Sequence, residues 1–229
     1  MRPRGFTLVE LLVAIALLAL MFAVALRYFT LQAEQTRRIQ ARSEVQDRVR
    51  MVMEVVSQDL LLAGNQYYIP DSGSVSQKIN VPTPYLSATD GGYKDTFRVR
   101  YVTSLRREVS SACREVSYSF QDNTLRREDT SCGGSSNPQP LADEILALDI
   151  TYICSNFDPH TGTFLTAKSG SPPCPAGSYT RSARVRVVGR SLTRVSGSTF
   201  SDPTFASECK DYFCFALEQE VLLPNLKDQ

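Results

Sequence analysis

The sequence predicts an α+β protein in which one long N-terminal α-helix, membrane-spanning in its first half, packs on an antiparallel β-sheet domain. Three observations carry that expectation. Residues 6–26 form an apolar run whose one charge is Glu10. No proline or glycine occurs between positions 6 and 63, so nothing in the sequence breaks a helix there. Beyond Gly64 the chain changes to short stretches alternating apolar and polar residues, separated by segments rich in Gly, Ser and Pro.

The first half of the helix has membrane length. About 21 residues at ~1.5 Å each span ~31 Å, close to one hydrocarbon thickness. Arg2 and Arg4 precede the run, and the positive-inside rule keeps that end in the cytoplasm, with everything after Arg27 on the other side. A cleaved secretory signal is the competing expectation: Ala23-Val24-Ala25 fits an A-x-A-like site and leaves a soluble protein beginning at Leu26. Glu10 argues against it. A carboxylate at bilayer depth costs ~2.5–3.5 kcal/mol on insertion scales, and an ordinary signal has no use for one.

The second half continues into water. Gly64-Asn65, followed by Pro70, supplies the stop signal, for a helix of about 58 residues and ~87 Å. Val45, Val49, Val52, Met53, Val56 and Leu60 recur at spacings of three and four, which marks one core-facing stripe. Glu34/Arg38, Glu44/Arg48 and Asp47/Arg50 lie at ion-pairing spacings on the solvated faces.

The strands follow in order. In residues 96–102, Phe97, Val99 and Tyr101 alternate with Arg98 and Arg100. Residues 115–121 set Val116, Tyr118 and Phe120 against Ser117 and Ser119. Leu146, Leu148, Ile150 and Tyr152 form a third stripe, and Ala183, Val185 and Val187, opposite Arg184 and Arg186, a fourth. Residues 213–222 make a final strand. Segments 70–92, 133–140, 158–177 and 195–203 are expected to be loops of one sheet domain, not linkers. About 165 residues are enough for a single core.

Six cysteines in an exported segment imply disulfides. If Asp122-Asn123 is a two-residue hairpin turn, cross-strand partners have numbers summing to 245, and Cys113 and Cys132 satisfy that sum. Pairing the remaining cysteines with their nearest neighbours gives Cys154–Cys174 and Cys209–Cys214. Zinc is not expected, because there is no C-x2-C pair and His160 is the chain's one histidine. That histidine lies in Asp158-Pro159-His160-Thr161-Gly162, a turn by composition, and Asp90-Gly91-Gly92 is another. No phosphate loop and no Cys–His arrangement occurs, so neither catalysis nor a cofactor is expected. The net charge of +1 is not that of a dedicated nucleic-acid binder. A basic patch for DNA or another ligand would form only if the strands carrying Arg98/Arg100 and Arg184/Arg186 adjoin, with Arg106-Arg107 and Arg126-Arg127 adding pairs.

Gly5-Phe6-Thr7-Leu8-Val9-Glu10-Leu11-Leu12-Val13-Ala14 closely resembles the N-terminus of type IV pilins and of type II secretion pseudopilins. The resemblance implies a leader of residues 1–5, removed by an inner-membrane prepilin peptidase between Gly5 and Phe6. It also implies N-methylation of Phe6, a retained helix over 6–63 with its transmembrane part at 6–26, and an exported domain over 64–229. In that family the acid corresponding to Glu10 meets the amino terminus of a neighbouring subunit during assembly. Many pilins carry a proline kink where this chain has Arg27. Ser57-Gln58-Asp59-Leu60-Leu61-Leu62-Ala63-Gly64, Tyr118-Ser119-Phe120 with Leu125-Arg126-Arg127, and Val221-Leu222-Leu223-Pro224-Asn225 are similar to PilW-type minor pilins. J-type pseudopilins share the plan, whereas the K-type characteristically lacks the acid. The resemblance thus implies a pilin-like fold and a minor, non-enzymatic filament subunit that starts assembly near the tip. Its partners are then other pilins, with the inner membrane as its site before assembly and the pilus or pseudopilus after it. The alternatives are a J-like pseudopilin and a pilus-exposed adhesin or DNA-uptake receptor.

Overall fold

The computed structural model describes residues 8–69, 77–104, 109–135, 137–195 and 200–227. Gly5 and Phe6 lie outside the described residues, as does Arg106-Arg107. Helix α1 runs over Leu8–Leu62. Its first half is built from Leu, Ala and Val, good or tolerable helix formers that face no competing tertiary contact. Ala41, Val45, Val49, Val52, Met53, Val56 and Leu60 are buried, so the apolar stripe of the sequence is the seam along which the helix joins its domain.

The helix end is fixed by a left-handed glycine and two hydrogen bonds. Gly64 takes φ +80°, which breaks the helical path, and its N–H donates to the Arg100 carbonyl at 2.9 Å. The Asn225 amide donates to the Leu61 carbonyl at 3.1 Å, satisfying one of the acceptors a helix C-terminus leaves open. A Cβ on Gly64 would lie 2.9 Å from the Asn225 carbonyl oxygen. Gly64→Ala therefore combines left-handed strain with a backbone clash, and should cost more than ~1 kcal/mol. Urea unfolding of the detergent-solubilised chain, followed by circular dichroism, checks this; an unchanged midpoint would contradict it.

The expected antiparallel β domain consists of two large sheets and a small ribbon. The ribbon pairs β1 (Tyr67–Tyr68) with β2 (Gln77–Lys78). The five-stranded sheet is consecutive: β3 (Leu86–Thr89), β4 (Thr96–Val102), β5 (Cys113–Gln121), β6 (Thr124–Ser131) and β7 (Gln139–Ala142). The four-stranded sheet contains β8 (Ile145–Asp158), β9 (Thr163–Ala167), β10 (Thr180–Arg194) and β11 (Tyr212–Leu222), in the order β11-β10-β8-β9. All strand pairs within the sheets are antiparallel.

Four strands therefore fall in or overlap segments expected to be loops: β2, β3, β7 and β9. Each is short, and β3, β7 and β9 are sheet edges, where pairing tolerates weak alternation. Pro140 sits within β7, as proline can on an edge strand. The β5–β6 register sums to 245 from Arg114↔Ser131 to Gln121↔Thr124, and Asp122 enters the turn at φ +56°. Cys113 and Cys132 are bridged across its open end with 5.5 Å between their Cα atoms. The other bridges are Cys154–Cys174 and Cys209–Cys214.

The two sheets are clasped by the segment before β4. Leu148 N–H donates to the Tyr93 carbonyl at 2.8 Å, and Asp95 N–H donates to the Leu148 carbonyl at 3.0 Å. The fully buried Asp95 carboxylate accepts the Ile150 N–H at 2.8 Å and the Gly91 N–H at 2.9 Å. Burial raises its pKa, against the lowering effect of these two bonds. The arch so formed wraps the second half of α1. One core joins the helix stripe to Phe97, Val99, Tyr118 and Leu125 of one sheet and Leu148, Ile150, Val185 and Val187 of the other.

Candidate functional site

None of residues 8–40 of α1 is buried. Leu8, Leu11, Leu17, Leu20, Met21, Phe22 and Leu26 are each more than half exposed. A helix apolar on all sides is stable only where lipid or other helices cover it. Glu10 lies in the first described turn of this rod, on an exposed position. The rod is long enough to cross a membrane by length and composition. Projection of the rod follows from sequence: apolar residues surround the helix over 8–26, whereas only one stripe is apolar over 45–60, and only the stripe matches an inner sheet face.

The junction between rod and domain is held by an unexpected polar cluster. Asp59 lies on the buried face, i+3 from Val56, and is almost fully buried. Its carboxylate accepts hydrogen bonds from the Tyr101 hydroxyl at 3.1 Å, from the Tyr118 hydroxyl, and from Arg127 Nε at 2.8 Å and Nη2 at 2.9 Å. Burial first, and the Asp59 charge second, push both tyrosine hydroxyls far above their ordinary range, so they stay protonated donors. Burial alone would lower the Arg127 pKa, but its bonds to Asp59 raise it. The signal was present in sequence as one acid interrupting the apolar stripe; its partners, on strands 42 to 68 residues away, were not.

The arginines considered for DNA or another ligand are not brought together. Arg98 and Arg100 belong to the five-stranded sheet, Arg184 and Arg186 to the four-stranded one. Each faces an acid: Arg98 and Arg100 share Glu115 at 3.3 and 2.6 Å, Arg184 meets Glu218 at 3.6 Å, and Arg186 binds Asp202. Of Arg126-Arg127, the second turns to Asp59, and Arg126 donates to Gln121 at 2.7 Å. His160 is exposed, in a turn where Asp158 accepts its N–H.

The Arg186 hydrogen bond, with help from the Thr204 N–H, holds the Asp202 carboxyl at about 2. A carboxyl depressed in the folded state contributes stability that is fully present above its unfolded value near 4. That contribution fades as pH falls towards about 2. The stability advantage of the wild type over Asp202→Asn should therefore shrink between pH 4 and pH 2. Urea titrations at a series of pH values test it; an advantage as large at pH 2 as at pH 6 would refute the assignment.

The prokaryotic N-terminal methylation motif matches residues 1–26. The pilin-like protein PilA3 of Thermus thermophilus is 46% identical over 239 aligned positions, covering 98% of this chain and 97% of that protein. Among solved structures, a type IV-like pilin from Thermus thermophilus aligns with a TM-score of 0.49 at 13% identity, over 80% of this chain and 97% of that one. A chain of the GspK–GspI–GspJ complex of the enterotoxigenic Escherichia coli type 2 secretion system aligns at 0.44 and 16% identity, over 78% and 96%. With the methylation motif at the head of a bare apolar helix and PilA3 matched along nearly its whole length, the chain belongs to the type IV pilin-like proteins.

Proposed function

We propose that the protein is a minor type IV pilin, a non-enzymatic filament subunit held in the inner membrane until it is extracted. The observation that supports this best is the rod of residues 8–40, apolar at its head and left unburied by the described residues of its own fold. Lipid covers the apolar part before assembly, and the helices of neighbouring subunits cover it afterwards. Prepilin peptidase removes residues 1–5, Phe6 becomes the methylated N-terminus, and Glu10 meets the Phe6 amine of a neighbour. Two charges that are each costly in an apolar surrounding then neutralise one another. The β domain stays outside the helical core, at the filament surface or tip.

Mass analysis of the mature N-terminus, together with a search for the protein in sheared filaments, tests this reading. Methyl-Phe6 on filament-associated protein is the expected result. A chain beginning at Leu26 and free in the medium would overturn it.

A further inference from the structure

The β8–β9 hairpin carries exposed aromatic and charged groups that the core does not use. Leu223 N–H donates to the Arg181 carbonyl at 3.0 Å, and the neighbouring Asn225 reaches the Leu61 carbonyl, so Arg181 stands level with the last turn of α1. Farther down, Gly189 lies against Val49. β10 therefore runs from the far end of the domain back towards the membrane, and β8 runs outward. Thr180 pairs with Cys154, so residues 155–163 project past the helix end, by roughly 13 Å at ~3.3 Å per residue from Cys154 to Asp158.

This projection is braced rather than loose. Cys154–Cys174 closes its base, and Ser155 N–H donates to the Tyr179 carbonyl at 2.8 Å. At its tip the Asp158 carboxylate accepts the His160 N–H at 2.9 Å and the Thr161 hydroxyl at 3.0 Å. Phe157, 54% exposed, packs edge-on to Phe164 with ring centroids 5.2 Å apart, and the Arg181 guanidinium lies 4.9 Å from the Phe164 ring. Beside them is a groove of about 560 Å³ lined by Thr163, Phe164, Thr166, Arg181, Arg184 and Glu220.

We infer that this groove is a binding site for a neutral oligosaccharide, presented at the membrane-distal end of the subunit. Its volume is that of a small-ligand site. Arginine donates, Glu220 accepts, and threonine does both, which suits sugar hydroxyls that also do both. Phe164 lines the groove and Phe157, packed edge-on to it at the rim, extends the apolar surface for the C–H face of a sugar ring. Of the two arginines in the lining, Arg184 is paired with Glu218 beside the groove at 3.6 Å and Arg181 lies over the Phe164 ring. Glu220 also lines the groove, so the positive excess is far below what a polyanion needs. Bracing lowers the ordering cost of binding. The site does not rest on the filament reading, because binding is measured on the isolated chain.

The test is calorimetric titration of the full chain in detergent with cellohexaose, chitohexaose, maltohexaose and mannohexaose, and with heparin and a single-stranded oligonucleotide as polyanions. The expected result is saturable binding of at least one neutral hexasaccharide, weakened at least tenfold in Phe157→Ala and Thr166→Val. Phe157→Ala removes an exposed ring, and an unchanged thermal melt shows that it folds. No neutral binding at millimolar concentration, binding unaffected by both variants, or tighter binding of either polyanion overturns the proposal.

Discussion

Glu10→Ala should abolish incorporation of the protein into filaments while leaving its domain folded. The carboxylate lies far from every core residue of the β domain, on a rod with no buried position before Ala41 among the described residues. Its removal should leave the unfolding midpoint of the domain unchanged. Membrane insertion should become easier, because an acid at bilayer depth costs ~2.5–3.5 kcal/mol on insertion scales. Assembly is different. A neighbour's Phe6 amine brought into the helical core would face no counter-charge, and an uncompensated buried charge costs ~3–5 kcal/mol. At ~1.4 kcal/mol per factor of ten, that is a loss of at least a hundredfold in subunit partitioning. Immunoblots of sheared filaments and of inner membrane from the variant strain measure it. Normal amounts of the variant in filaments would sink the assignment of Glu10 as the assembly residue. Glu10→Gln should resemble Glu10→Ala if charge matters, and resemble the wild type if only a hydrogen bond does.

Asp59→Ala should have the largest effect on folding, a loss of about 3–5 kcal/mol. Deletion of this carboxylate leaves two buried tyrosine hydroxyls without their acceptor and the half-buried Arg127 with its 3.5 Å contact to Asp129, so most of their desolvation cost remains without its compensation. Tyr118→Phe removes one donor and leaves the ion pair, and should cost about 1.5–3 kcal/mol, the worth of a hydrogen bond to a charged group. The double variant Asp59→Leu/Arg127→Leu should recover part of the loss, because two apolar groups replace two buried charges. Urea unfolding of the three variants in detergent separates these effects. An Asp59→Ala chain within ~1 kcal/mol of the wild type would show that the cluster does not hold the helix. The cluster's position explains its importance: it ties the last two turns of α1 to β4, β5 and β6, so whatever pulls the rod pulls on the sheet through it.

How much was legible beforehand depended on the range of the interaction. The stripe from Val45 to Leu60, the stop at Gly64 and the Asp122-Asn123 turn are set by residues within a few positions of one another, and their periodicity was visible. The Cys113–Cys132 bridge was visible because hairpin register converts a local turn into a rule about distant numbers. The division into two sheets was not. It depends on the Asp95 clasp and on short edge strands such as β3 and β9, whose pairing partners rather than their own patterns make them strands. The loops expected over 70–92 and 158–177 contain strands for that reason.

The candidate sites divide in the same way. Glu10 stood out because one charge in a membrane-length apolar run is anomalous without any fold, and the motif around it resembles a family through contiguous residues. Asp59 also interrupts an apolar pattern, but its meaning required Tyr101, Tyr118 and Arg127, which only packing brings to one point. Arg98, Arg100, Arg184 and Arg186 ran the other way: in sequence they suggest a basic surface, and in space each meets a carboxylate. By itself the sequence determined the helix, its membrane-length apolar half and the place of Glu10 through local composition and spacing, and its family through the contiguous motif around Glu10. Tertiary structure alone decided what the charges of the β domain do, since cross-strand and helix–sheet contacts set which of them neutralise one another.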